Sequence, residues 1–160
     1  VKDLGGSFEI VEAVMRVNRR QLDYAMEKII EACDGDLEDK KVAVLGLSFK
    51  PETDDVREGP ALEIIRRLSE AGARVRAFDP QAMAQASRQI PELECCTDAY
   101  DACAGAHALV IVTEWNEFRA LDLERVKKLL IHPRLVDLRN IYDPEATRER
   151  GLEYWGIGRR

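Results

Sequence analysis

Two basic side chains and an aromatic ring follow the first predicted strand closely. Lys50 is a point charge suited to phosphate, and Arg57 has a planar fork that binds phosphate or carboxylate with two hydrogen bonds. Phe49 offers a ring that can cover a ring of a ligand. These residue types predict anion binding. The residues Asp54 and Asp55 leave a second interpretation open, a solvated loop whose charges balance one another.

Arg139 is a further candidate for the same crevice, because it lies just past the predicted strand 134–138. Ligands of parallel sheets bind beyond the carboxyl ends of the strands. We therefore expect Lys50 and Arg139 to converge if their strands are neighbours. The two side chains would then form a locally positive anion-binding site in a protein with a net charge of −6. A structural pairing of Arg139 with Asp137 is the alternative, and the sequence does not separate the two.

The sequence shows no arrangement typical of a catalytic nucleophile or a metal centre. A dinucleotide-binding turn reads Gly-x-Gly-x-x-Gly and runs straight into its helix, whereas the first loop here is long and rich in side chains. His107 and His132 do not stand near a serine or cysteine in a nucleophile arrangement. Cys103 and His107 are close in sequence, but a structural zinc site needs four ligands.

Composition places the chain among globular proteins with one core. It has 160 residues, of which 46% are hydrophobic and 34% charged. The net charge of −6 argues against a nucleic-acid partner, since such proteins present a basic face to phosphates. The longest apolar run, residues 108–112, is too short to cross a membrane, so we expect a soluble cytoplasmic protein without a membrane partner. The four cysteines are expected to be small buried hydrophobic residues.

Two kinds of pattern divide the chain near residue 38. Residues 7–33 lack proline and glycine and carry apolar residues at helical spacing, which predicts one long α-helix that ends at Asp34 and Gly35. This helix is too hydrophobic to stand alone in water. From residue 39 onward, short β-branched runs alternate with helical stretches, which predicts an α/β fold with a Rossmann-like parallel sheet flanked by helices. The predicted strands are 41–46, 73–78, 93–96, 107–112, 134–138 and an edge at 153–154, and the predicted helices are 59–71, 82–89, 99–104 and 123–130.

Several motifs, taken together and in order, resemble those of the UDP-glucose/GDP-mannose dehydrogenase family. The family patterns are Gly-x-x-Phe-Lys-x-x-Thr-x-Asp-x-Arg, Thr-Glu-Trp-x-x-Phe, Asp-x-Arg and Tyr-x-Gly-x-Gly. The matching positions are Gly46, Phe49, Lys50, Thr53, Asp55, Arg57, Thr113, Glu114, Trp115, Phe118, Asp137, Arg139, Tyr154, Gly156 and Gly158. Gly59 departs from the family, which often has Ser or Ala there. Without the resemblance, the aromatic pair Trp115 and Phe118 is interpreted as core packing.

The resemblance implies an enzyme that oxidises the C6 hydroxyl of UDP-glucose to the carboxylate of UDP-glucuronate in two NAD-dependent steps, through a cysteine thiohemiacetal and thioester. It implies that Phe49, Lys50 and Arg139 bind the UDP-sugar. Arg57 is implied to reach NAD, which another domain mainly binds. The family's dinucleotide domain and its Gly-x-Cys-Phe segment are not found in this sequence. No catalytic residue is therefore assigned, and we expect the chain to be inactive alone.

By the same resemblance, residues 1–38 form a connecting and dimerisation helix and residues 39–160 a UDP-sugar-binding domain. The implied partners are a UDP-sugar and a second copy of the chain, which would bind through the first helix. Two alternatives stay open. The chain is the equivalent part of a UDP-N-acetylmannosamine or GDP-mannose dehydrogenase, or it is a free-standing nucleotide-binding module.

Overall fold

The computed structural model describes residues 9–57 and 59–158, in which strands and helices alternate after one long helix. The helices are α1 (Glu9–Ala32), α2 (Ala61–Glu70), α3 (Met83–Gln89), α4 (Ala99–Cys103), α5 (Asn116–Arg119), α6 (Leu123–Leu129) and α7 (Pro144–Glu149). The strands are β1 (Lys41–Leu45), β2 (Arg74–Phe78), β3 (Glu94–Cys95), β4 (Ala108–Ile111), β5 (Arg134–Asp137) and β6 (Glu153–Gly156). Every predicted strand is present, whereas α5 and α7 were not predicted.

The six strands form one parallel sheet with the order β3-β2-β1-β4-β5-β6. This confirms the predicted Rossmann-like fold. The strand order reverses between β1 and β4, so their connections run to opposite faces and leave a crevice at the carboxyl edge. The loops after β1, β4 and β5 all leave from this edge, because β4 pairs with both of the other strands.

The sheet separates two hydrophobic cores. Side chains alternate along a strand, so Val42 and Val44 of β1 face one core, while Ala43 and Leu45 face the other. The first core also contains the buried sides of α1, α2 and α3, and the second contains those of α4, α5 and α6. Trp115 and Phe118 are buried in the second core, which confirms that they are packing residues.

The two halves of α1 differ in burial. Ala25, Ile29 and Ala32 are buried in the first core, whereas larger apolar side chains nearer the start of the helix are exposed, among them Val14 at 53% and Met15 at 59%. The amphipathic stripe therefore continues past the part of the helix that packs on the domain. Within the described ranges, no helix is both long and apolar enough to cross a membrane.

The end of α1 follows the sequence prediction. Asp34 and Gly35 have positive φ angles of 64° and 83°, and the Gly35 N–H donates to the carbonyl of Ile30 (2.9 Å), which closes the last turn. The carboxylate of Asp34 then accepts two hydrogen bonds from Arg134 of β5, at 2.8 and 2.9 Å. These bonds fix the end of the helix to the sheet. The predicted start, at residue 7, lies outside the described residues.

Candidate functional site

A cleft of about 450 Å³ lies at the carboxyl edge of the sheet, between α1 and the start of α2. Phe49 from the loop after β1 and Arg139 from the loop after β5 both line it. The amides of Asn18 and Gln21 face it from α1, and Glu63 faces it from α2. Of the four predicted site residues, the structure thus brings Phe49 and Arg139 together, on a surface that also offers amides and apolar groups.

Phe49 and Lys50 lie on the long loop after β1. The Phe49 N–H donates to the carbonyl of Asp55 (2.8 Å), which closes the loop on itself, and Phe49 is 46% exposed. Lys50 is exposed to solvent and lies outside the lining of the cleft. The strands that precede Lys50 and Arg139, β1 and β5, are separated by β4, so the condition for the expected convergence of the two side chains is not met. Gly59 packs against the same loop, because a Cβ there would lie 3.1 Å from the Phe49 Cα. A side chain at this departure from the family pattern would therefore require the Phe49 backbone to shift by a few tenths of an ångström.

A buried carboxylate fixes the base of this loop. Asp79 directly follows β2 and is 1% exposed. Its Oδ2 accepts hydrogen bonds from the backbone N–H groups of Leu47 (2.7 Å) and Ser48 (3.0 Å), from Ser48 Oγ (3.0 Å) and from Trp115 Nε1 (3.2 Å). Its Oδ1 accepts from the N–H groups of Gln81 and Ala82. Asp79 therefore joins the ends of three strands and sets the direction in which the loop leaves the sheet.

The ends of β1 and β4 are in close contact. Gly46 has a φ of 91°, and a Cβ on it would lie only 2.5 Å from Cβ of Thr113. The Thr113 hydroxyl donates to the carbonyl of Ser48 (2.6 Å), and Thr113 is 1% exposed. Thr113 thus holds the loop after β1 by a buried hydrogen bond. Position 46 requires glycine, because a side chain there would overlap Thr113.

Arg139 forms an ion pair with Glu114, the second residue of the Thr-Glu-Trp segment after β4. Arg139 Nε lies 2.5 Å from Glu114 Oε2, and Nη2 lies 2.8 Å from Oε1. This two-point hydrogen bonding lowers the pKa of the Glu114 carboxyl below its ordinary value. Asp137 plays a different part, since its Oδ1 accepts the backbone N–H of Arg139 (3.1 Å) and its Oδ2 accepts the N–H of Tyr142 (2.9 Å).

Arg57 lies apart from the cleft. Its guanidinium donates to both carboxylate oxygens of Asp55, at 3.0 and 2.8 Å, and its side chain is 79% exposed. These hydrogen bonds lower the pKa of Asp55 to about 2. The pair borders a separate groove that Gln85 and Gln89 also line. Arg57 is therefore oriented by an acidic residue of its own loop.

The closing Tyr-x-Gly-x-Gly motif has a structural explanation at its first glycine. A Cβ on Gly156 would lie 2.9 Å from Cε1 of Tyr154 and 3.0 Å from Oδ1 of Asn140. Asn140 exchanges two hydrogen bonds with the backbone of Ile157, at 2.9 and 3.1 Å. These contacts hold the last described loop against Arg139's own loop, and Ile157 reaches the wall of the cleft.

The cysteines only partly follow the prediction. Cys33, Cys96 and Cys103 are buried, but Cys95 is exposed, so the expectation of burial is wrong for that residue. Burial raises the pKa of Cys96 to about 11 and that of Cys103 to about 12. In the part of the chain that the structure describes, no group of three or more His, Cys, Asp or Glu side chains is arranged to hold a metal ion.

Sequence reasoning missed the supporting roles of Ser48 and Asp79 and the contribution of α1 to the cleft. Asp79 carried a usable signal, because an acidic residue directly after the second strand of such a sheet stands at the ligand edge. The lining amides of Asn18 and Gln21 carried none, since the packing of α1 on the sheet is not encoded in the local pattern.

A doubly wound parallel sheet with a crevice at its carboxyl edge, which Arg139 lines, has the architecture of nucleotide-binding α/β domains. The comparison with protein families is more specific. Residues 43–144 match the UDP binding domain of the UDP-glucose/GDP-mannose dehydrogenase family, and the chain belongs to that family.

Individual relatives agree with this assignment. A UDP-glucose 6-dehydrogenase of Rhizobium meliloti is 48% identical over 94% of this chain and 34% of its own length. One from Pseudomonas aeruginosa is 41% identical over 97% of this chain and 36% of its own length. The structure of a UDP-glucose dehydrogenase from Pyrobaculum islandicum superposes with a TM-score of 0.78 at 34% identity, covering 97% of this chain and 33% of that one. The chain therefore spans about a third of the length of these relatives.

Proposed function

We propose that this chain is the C-terminal, UDP-binding part of an NAD-dependent UDP-glucose 6-dehydrogenase, and that it binds the nucleotide sugar in the cleft between α1 and α2. The observation that carries the proposal is the presence of Arg139 in the lining of that cleft, in a domain of a UDP-binding family. The similarity to UDP-glucose 6-dehydrogenase over 94% of the chain supports the choice of sugar.

The side chains around the cleft suit a nucleoside diphosphate. A diphosphate is bound well by charge-assisted hydrogen bonds, and the Arg139 fork supplies them from within the cleft. Lys50, which follows Phe49 in the sequence and is exposed outside the lining of the cleft, would add a point charge from there. Phe49 lines the cleft and is 46% exposed, so its ring would cover a ring of the ligand. Apolar residues such as Leu22 and Ile157 line the remaining wall.

The second ligand of this proposal is NAD, which would supply the hydride acceptor for oxidation of the sugar. The described domain does not fit a primary dinucleotide site. Its first loop lacks the glycine turn, and Asp79, which follows β2 where such folds bind a ribose, uses both oxygens for the protein's own N–H and O–H groups. Arg57 would contact NAD held by a different part of the enzyme. Its 79% exposure supports that role.

A second copy of the chain is the proposed partner of α1. Val11, Val14 and Met15 are all more than half exposed on the first turns of this helix, and burying such a face between two copies would remove apolar surface from water. Met15→Glu would place a charge in that interface and is expected to shift the protein from dimer to monomer in sedimentation velocity. Arg16→Glu, at an exposed neighbouring position, is the control. An unaltered dimer with Met15→Glu would contradict this interface.

Calorimetric titration of the chain tests the binding proposal. UDP-glucose is expected to bind more tightly than UDP-N-acetylmannosamine and GDP-mannose. Arg139→Ala and Lys50→Ala are each expected to weaken its binding by about 1.5–3 kcal/mol, the range for hydrogen bonds to charged groups. Arg125→Ala is a matched control, because Arg125 stacks on the ring of Tyr100 in another part of the domain.

Unchanged affinity for UDP-glucose in both the Arg139 and the Lys50 variant would refute the assigned cleft. Tightest binding of GDP-mannose or UDP-N-acetylmannosamine would keep the cleft but identify a sister enzyme. Activity of the chain alone with UDP-glucose and NAD would contradict its assignment as a binding part.

A further inference from the structure

We propose that Glu114 is a positioning residue that presents the free edge of the Arg139 guanidinium to the diphosphate of the bound nucleotide. This inference rests on the proposed function, since it concerns the same cleft and the same ligand class. Glu114 itself does not contact the ligand in this scheme. It acts only through Arg139.

The geometry of the ion pair supports this role. An arginine has five N–H donors, and Glu114 accepts from Nε and from Nη2 of Arg139, at 2.5 and 2.8 Å. The carboxylate therefore occupies one side of the guanidinium. The opposite edge, formed by Nη1 and the second hydrogen of Nη2, keeps the paired donors that bind phosphate oxygens. Among the described residues, Arg139 lines the cleft and Glu114 does not.

Glu114 is held on a rigid base. The residue before it, Thr113, is 1% exposed and donates to the carbonyl of Ser48 (2.6 Å). The residue after it, Trp115, is 4% exposed, and its indole N–H donates to Asp79 Oδ2 (3.2 Å). The backbone of Glu114 is thus fixed on both sides by buried contacts, so its carboxylate is a stable reference point for the arginine.

Arg139 is held in the same way at its backbone. Its N–H donates to Asp137 Oδ1 (3.1 Å), and Asp137 is fully buried. The other oxygen of Asp137 accepts from the Tyr154 hydroxyl (3.1 Å). With the backbone fixed and the side chain 40% exposed, the remaining freedom of Arg139 lies in its long side chain. The Glu114 pair removes that freedom before the ligand arrives.

Two effects of Glu114 on a diphosphate oppose each other. Its negative charge repels the ligand, and its hydrogen bonds orient the arginine that attracts it. The repulsion is weakened because Arg139 neutralises the charge at contact distance, and because solvent and salt screen it at the larger distance to the ligand. Orientation acts directly on the binding group, so we infer that it is the larger effect.

The test is a double-variant cycle with UDP as the probe, measured by calorimetry on the 160-residue chain. Glu114→Ala is expected to weaken UDP binding about fivefold, the factor that corresponds to ordering one long side chain on binding. Glu114→Gln keeps one acceptor and is expected to lose less. In an Arg139→Ala background, Glu114→Ala is expected to cause no further loss. Glu117→Ala removes an exposed acidic residue from the same segment and controls for charge alone.

The outcomes separate this inference from the proposed function. If Arg139→Ala weakens UDP binding but Glu114→Ala leaves it equal or tighter, the positioning role is wrong and the cleft assignment stands. An equal loss from Glu114→Ala with and without Arg139 would show that Glu114 acts independently, which also overturns the inference. If Arg139→Ala itself has no effect on UDP affinity, the inference fails, and the proposed binding cleft fails as well when Lys50→Ala is also without effect. Circular dichroism of each variant checks that the fold is retained.

Discussion

Asp79→Asn is the sharpest single test of how the loop after β1 is held. The substitution keeps the size of the side chain but replaces one carboxylate oxygen with an NH₂ group. Four hydrogen bonds converge on Oδ2, from Leu47, Ser48 (two) and Trp115, and two converge on Oδ1. All of these partners are hydrogen-bond donors. The NH₂ group of the substituted side chain is also a donor, so it cannot bond to the partners on the side that it faces.

The loss of stability is smallest when the NH₂ group faces the two donors to Oδ1 rather than the four donors to Oδ2. If the amide oxygen takes the Oδ2 side, the N–H groups of Gln81 and Ala82 lose their acceptor. A buried donor left without a partner costs about 1–3 kcal/mol. The Ala82 N–H is buried and the Gln81 N–H only part-buried, so Asp79→Asn is expected to lower the free energy of unfolding by about 2–5 kcal/mol, somewhat less than two fully buried donors would cost. For a domain of this size, each kcal/mol lowers the melting temperature by about 2–4 °C.

Urea unfolding followed by circular dichroism and tryptophan fluorescence measures this loss. Ser48→Ala, which removes only the hydroxyl between Asp79 and Trp115, is expected to cost about 1 kcal/mol, as for a typical hydrogen bond. Ser87→Ala is the matched control, because the Ser87 hydroxyl bonds to Met83 and Cys95 rather than to Asp79. A loss below 1 kcal/mol for Asp79→Asn, with an unchanged dependence on urea, would refute the role of Asp79 as the anchor of the loop.

Two further predictions concern close contacts and thiols. Gly46→Ala is expected to destabilise the protein by more than about 2 kcal/mol in the same urea assay, because it combines an unfavourable φ with overpacking against Thr113. Gly35→Ala is the control. Gly35 has a similar φ of 83°, but no atom lies within 4 Å of the added Cβ, so this substitution is expected to cost only the backbone strain. A thiol reagent at pH 8 is expected to modify Cys95 rapidly and Cys103 only on unfolding, because Cys95 is exposed and burial raises the pKa of Cys103 to about 12; equal rates for the two, by mass spectrometry, would contradict the packing around α4.

The strands and the longer helices were predictable because their signals are local. The buried run of β1 and the left-handed turn at Asp34 and Gly35 can be recognised from a few adjacent residues. The short helices α5 and α7 were missed because a turn or two of helix gives too little periodicity. For α7 a capping signal was present, since Asp143 precedes Pro144 and its carboxylate accepts from the Ala146 N–H (2.8 Å).

The pairing of Arg139 was not predictable from local pattern. Glu114 lies 25 positions earlier in the chain, and the two meet only because β4 and β5 are neighbours, with Ile111 opposite Asp137 in the register. Nearby Asp137 was the natural candidate, but it is fully buried and holds backbone groups. Sequence patterns place a side chain at a strand end, whereas the order of strands decides which charge it meets.

The hydrogen bonds of Asp79 distinguish this Rossmann-like sheet from a dinucleotide-binding one. In dinucleotide-binding sheets, a glycine-rich turn after β1 lies under the pyrophosphate and an acidic residue after β2 binds a ribose. In this chain the acidic residue holds the loop after β1 instead, so its carboxylate is not available to a ribose. The proposed binding cleft lies toward β4 and β5, where α1 forms one wall and Arg139 lines it. An anion bound in the proposed cleft would have to be recognised by side-chain charge, because the loop after β1 has no glycine-rich turn to supply backbone N–H groups.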